Sequence, residues 1–137
     1  RSTGLTSSPG IALHTIELMK HAGLVLEKKE HFNKYRKGIV SLAGKSDEEM
    51  DQLIADDPKY GRIICRCEKI TEAEIIQAIK RPVGARSVDA VKRRVRAGMG
   101  RCQGGFCSPS VIEILARELG ICEEDIRKRG GTSFMLM

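Results

Sequence analysis

Four of the five cysteines in this 137-residue chain fall into two close pairs. "ICRCEKITEAEI" leaves a single residue between Cys65 and Cys67, just ahead of a helix start. "GRCQGGFCSPS" leaves four residues between Cys102 and Cys107, and 34 residues separate the two pairs. Thiolates are soft metal ligands, so helices that fold back between two such loops would gather four of them at one site. Two kinds of centre compete for it. Zinc takes four thiolates tetrahedrally, commonly with about two to four residues between paired ligands. A 2Fe–2S cluster also takes four thiolates. The single residue between Cys65 and Cys67 makes a tight chelate, unusual in zinc ribbons and suited to one iron of a cluster, with the second pair on the other.

The neighbouring residues favour the cluster. Gly104 and Gly105 let backbone approach closely and turn N–H groups toward sulfur. Cys107 immediately precedes a helix N-terminus, whose partial positive charge stabilises a thiolate. The net charge of +6 is unevenly placed. Residues 62–101 hold eleven Lys/Arg against four Asp/Glu, whereas residues 1–61 balance at nine against nine. An oxidised cluster with four thiolates carries about −2, which that basic segment would offset. Cys122 stands alone after a helix stop and reads as structural. His14, His21 and His31 show no ligand spacing with the cysteines and stay unassigned.

The elements that must position these loops are helical. Ser8 and Pro9 are expected to open a first helix that exits at Gly23. The stretch up to Gly44 reads as connector. Ser46 and Glu49 have capping-box spacing, and "DDPKYG" is a break, so a domain boundary is placed near residues 57–61. Thr71 and Glu74 form a second capping box, opening a helix with Ile75, Ile76 and Ile79 inward. Ser87 caps the next, with Val88, Val91 and Val95 inward, Lys92, Arg93, Arg94 and Arg96 mostly outward, and Gly98 as its exit. Ser108 and Pro109 open a third, carrying Val111, Ile112, Ile114, Leu115 and Leu119 to a stop at Gly120. Strand signals are nearly absent. Residues 71–97 also read as a helix-turn-helix with a basic second helix, which raises DNA binding. That helix lacks Asn or Gln on its basic face to read bases, so nucleic acid is not an expected partner and a solvated face is the plainer reading.

The motif "CRCEKITEAEI … GRCQGGFC" resembles the bacterioferritin-associated ferredoxin-like 2Fe–2S domain, a small helical helix-turn-helix fold, over about residues 61–122. That resemblance implies Cys65, Cys67, Cys102 and Cys107 as the ligands. The small ferredoxins have two residues inside the second pair; four, as here, resembles versions appended to flavin oxidoreductases. "RSTGLTSSPGIALHTIEL" is similar to the last FAD-contacting turn and helix of the glycerol-3-phosphate dehydrogenase branch of flavoproteins, which implies Gly4, Leu5 and Thr6 near a flavin in the parent protein.

The expected fold is mainly α. Residues 1–60 are expected to be the C-terminal remnant of an FAD-dependent oxidoreductase domain plus a connector, and residues 61–137 the cluster domain. The chain starts at Arg1 and reads as a piece of a longer enzyme, which would pass electrons from flavin through the cluster to an unidentified acceptor. This piece alone is not expected to turn over. The alternative is a zinc- or cluster-sensing regulatory or scaffolding module. No apolar run approaches the ~20 residues of a membrane span and no secretory signal is present, so the expected compartment is the reducing cytoplasm.

Overall fold

The computed structural model describes residues 3–136. The chain forms two units, one ending at Arg36 and one beginning at Lys37. In the first, helix α1 spans Gly4–His21 and starts earlier than the expected cap at Ser8, with Thr3 at its N-cap. Pro9 therefore lies inside the helix, where it has no N–H to give the Leu5 carbonyl. The Ser8 hydroxyl donates to that carbonyl instead, at 2.8 Å. At the other end the Gly23 N–H reaches Lys20 and the Leu24 N–H reaches Met19, the paired bonds of a glycine-terminated helix. No residue of α1 is buried.

The second unit holds four helices: α2 (Asp47–Asp56), α3 (Glu72–Lys80), α4 (Val88–Val95) and α5 (Ser108–Leu119). Both expected capping boxes form, Ser46 with Glu49 and Thr71 with Glu74, so α2 and α3 begin with their first N–H groups satisfied. Ser87 accepts from the Ala90 N–H and starts α4. Helices α3, α4 and α5 pack together around Ile75, Ile79, Val91, Ile114 and Leu115, each at most 2% exposed. Burying each of these side chains contributes about 1.5–3 kcal/mol, so the helical frame has support of its own. Gly84 makes the α3–α4 turn possible, since a Cβ there would sit 1.9 Å from the Ile79 carbonyl oxygen.

The second unit starts upstream of residue 61 because the connector is tied down. Ile39 packs on the core, and the Val40 N–H donates to the Gln77 side chain at 3.0 Å. Tyr60 accepts from the Gln77 amide at 2.7 Å.

Two features depart from the sequence reading. The first cysteine pair sits on a short antiparallel hairpin, β1 (Ile63–Cys65) and β2 (Ile70–Thr71), with Ile63 opposite Thr71 and Cys65 opposite Ile70. Helix α4 ends before Gly98, because Arg96 itself takes a left-handed conformation at φ 67°. Beyond α5 the chain makes one 3-10 turn, Glu123–Asp125, then buries Ile126 against the core. The carbonyls of Arg127 and Lys128 accept from the N–H groups of Val88 and Asp89, so this tail braces the start of α4.

Candidate metal centre

Each cysteine is delivered by a different local device. Cys65 ends β1 and is buried within the core, 1% exposed. Cys67 follows in the hairpin turn and is exposed. Cys102 lies in the loop after α4, and Cys107 is the N-cap residue of α5, 3% exposed. All four line one hollow of about 500 Å³, together with Arg62, Phe106 and Ser110. Cys122 is exposed and lies outside it.

The sulfur contacts run between the loops rather than within the sequence pairs. The sulfurs of Cys67 and Cys102 are 3.8 Å apart. Tetrahedral ligands at bonds of about 2.3 Å sit about 3.8 Å from one another, so this pair already has the spacing of two ligands on one metal. The Cys107 thiol lies against Cys65, and burial together with that neighbour pushes it up to about 11. Cys102 goes the other way. The backbone N–H groups of Phe106, Gly104 and Gly105, with the Cys67 thiol, hold it below the ordinary thiol range. One half of the site is therefore buried (Cys65, Cys107) and the other faces solvent (Cys67, Cys102). The sequence reading put the adjacent cysteines on a common iron; here Cys65 is buried in the core and Cys67 is exposed.

These donors fit a 2Fe–2S group better than a single ion. One zinc would take all four sulfurs around one point, whereas the contacts here run in two pairs, Cys67 with Cys102 and Cys107 with Cys65. Two side-by-side sulfur pairs suit two metals. Gly100 completes the cradle by a close approach that sequence reading did not single out: a Cβ there would lie 2.1 Å from Cys67 Cβ and 3.2 Å from its sulfur. The signal was a glycine two residues before a cysteine in "GMGRC", which has no reading until the loops are placed.

Two carboxylates hold the loops in place. Glu68 accepts from Arg96 Nε at 2.7 Å, joining the hairpin turn to the end of α4 and so to the start of the second loop. Glu72, 5% exposed, accepts from Arg62 Nη1 at 3.1 Å and from Arg117, joining β1's approach to α3 and α5. Of the basic residues on and after α4, Arg94 donates to the carbonyls of Ala90 and Val83, Arg93 pairs with Asp89, and Arg96 is held by Glu68. Most of that charge is engaged inside the domain.

Gly4, Leu5 and Thr6 form the first turn of α1, not a loop ahead of it, and Leu5 is 91% exposed.

A helical frame that gathers four thiols as two facing pairs offers the donor set that an iron–sulfur group takes. The family model of the BFD-like [2Fe-2S] binding domain matches residues 63–117. Similar curated proteins are longer. The chain is 57% identical over 135 residues to a glycerol 3-phosphate dehydrogenase of Caloramator mitchellensis, covering 98% of this chain and 28% of that protein. It is 28% identical over 106 residues to the HcnB component of the hydrogen cyanide synthase of Pseudomonas aeruginosa, covering 77% and 19%. An opine oxidase component of Rhizobium meliloti is 42% identical over 65 residues, covering 47% and 12%. The chain thus spans between about a tenth and somewhat over a quarter of these relatives. No solved structure matches it.

Proposed function

We propose that this chain is the electron-transfer part of an FAD-dependent, glycerol-3-phosphate dehydrogenase-like oxidoreductase, and that Cys65, Cys67, Cys102 and Cys107 hold its 2Fe–2S group. The observation that carries this reading is the convergence of the four thiols on one hollow as two facing pairs. On this reading Cys67 and Cys102 share one iron, and Cys65 and Cys107 the other. Such a group carries one electron at a time, which lets a two-electron flavin hand its electrons on singly. The chain's own residues hold the group's charge. Backbone N–H groups from residues 104–106 face Cys102, Cys107 stands at the start of α5, and Gly100 admits Cys67.

Residues 1–60 are proposed as the end of the flavoprotein domain with its connector, and residues 61–137 as the cluster domain. Gly4, Leu5 and Thr6 are the proposed flavin contacts in the parent. They lie on the first turn of α1, and the N-terminal end of a helix favours an anionic group. The partner is then the flavoprotein domain of the same chain, with a further electron acceptor beyond it. The proposed compartment is the reducing cytoplasm, where clustered cysteines serve as metal ligands rather than disulfides. Among the described residues no helix is long and apolar enough to cross a membrane.

The test is iron and sulfide analysis with visible spectroscopy on anaerobically purified chain. About two irons and two acid-labile sulfides per chain are expected. Serine at any of the four cysteines should bleach or shift the spectrum, while Cys122→Ser should leave it intact. Zinc without sulfide, or equal iron loss in Cys122→Ser, would overturn the assignment.

A further inference from the structure

The two halves of the site differ in what surrounds them. Cys65 and Cys107 are closed into the core, whereas Cys67 is exposed and Cys102 half-buried. The residue before each of three cysteines is exposed. Arg66 precedes Cys67, Arg101 precedes Cys102, and both are exposed. Phe106 precedes Cys107 and is 87% exposed. Among the described residues neither Arg66 nor Arg101 makes a side-chain hydrogen bond or ion pair, unlike Arg62, Arg93, Arg94 and Arg96. The carboxylate closest in sequence, Glu68, is already taken by Arg96.

We propose that the Cys67–Cys102 edge is a docking face for a separate acidic electron-transfer protein, with Arg66 and Arg101 as its charged contacts and Phe106 as its apolar anchor. The proposal rests on the electron-transfer reading above. Both arginines flank the 3.8 Å sulfur contact, so a partner held by them sits over the solvent-facing edge of the site. One electron leaves there and one one-electron acceptor is reduced; no bond is made and no proton need move. Two unpaired guanidiniums make the rim positive, and complementary charge raises the encounter rate of such partners. An exposed aromatic beside arginines has the composition of an interface hot spot rather than of free surface. Helix α4, whose sequence drew attention as a basic face, is the weaker candidate because its arginines are engaged.

Two probe proteins test this on the reconstituted chain: flavodoxin, an acidic one-electron protein, and cytochrome c, a basic one. Binding is read from backbone amide shifts of the chain in its diamagnetic iron-free form, and in parallel from electron-transfer rates with the cluster in place. Flavodoxin should shift residues near 66, 101 and 106, bind more weakly as salt rises, and bind about tenfold more weakly to the Arg66→Glu/Arg101→Glu variant. The same variant should gain affinity for cytochrome c while keeping a dispersed amide spectrum, which a misfolded chain would lose. Phe106→Ser should weaken flavodoxin binding without changing its salt dependence. Shifts centred on Lys92 and Arg93, or a charge-reversed variant that keeps its preference for flavodoxin, would overturn the proposal. Iron and sulfide content, measured separately, reports on the electron-transfer reading itself.

Discussion

Gly100→Ala is the most direct perturbation of the site that leaves every cysteine in place. The added Cβ would meet Cys67 Cβ at 2.1 Å. Ordinary carbon–carbon contact begins near 3.5 Å, so one loop must retreat by about 1.4 Å. Metal–sulfur bonds tolerate only about 0.2 Å, and the displaced residue is itself a proposed ligand whose sulfur sits 3.8 Å from that of Cys102. Overpacking of this kind costs about 1–3 kcal/mol, which for a unit of this size lowers the melting temperature by roughly 4–8 °C per kcal/mol. The frame should therefore survive with a lowered melting point while cluster content falls to less than half. The assay is reconstitution with iron and sulfide, followed by iron analysis and the visible spectrum, with thermal melts of the iron-free chain. Gly130→Ala is the control, since a Cβ there meets nothing within 4 Å. A Gly100→Ala chain with full iron and an unchanged spectrum would refute the close-approach argument.

Glu72→Gln should lower stability at neutral pH by about 1–2 kcal/mol, the lower part of the range for charged hydrogen bonds, because Arg62 and Arg117 are 49% and 43% exposed and solvent screens them. Burial works to raise the Glu72 carboxyl, but Arg117 and Arg62 outweigh it and hold the group below the ordinary carboxylate range. Its stabilisation is therefore complete above the unfolded glutamate value of about 4.3 and is lost as pH falls through the depressed folded value. Urea melts across the acid range should show a shallower decline in the variant, and parallel curves would sink the idea. Stripping iron with a chelator under reducing conditions should leave most of the far-ultraviolet helical signal, since the caps of α2, α3 and α4 and the aliphatic core do not involve the metal. Collapse of that signal would mean that the cluster, not the core, holds the helices.

What was legible in the sequence is what local chemistry decides. Thr71 with Glu74 and Ser46 with Glu49 satisfy N–H groups within one turn, so these helix starts follow from residue types alone. The aliphatic spacing of Ile75 and Ile79, and of Val91 and Val95, names the inward faces for the same reason. The cysteine spacing pointed to a four-thiolate site because few other arrangements use two close pairs in loops. Other features needed the tertiary fold. The hairpin at Cys65 was hidden because its strands are three and two residues long, too short for an alternating pattern to show. The basic look of α4 did not reveal that Arg94 serves the α3–α4 turn and Arg96 the first cysteine loop, because those partners are distant in sequence. Which sulfurs face each other, which half of the site meets solvent, and why residue 100 must lack a side chain all depend on two loops meeting across 34 residues of helix and turn. Spacing names the donors; only packing decides how they are paired.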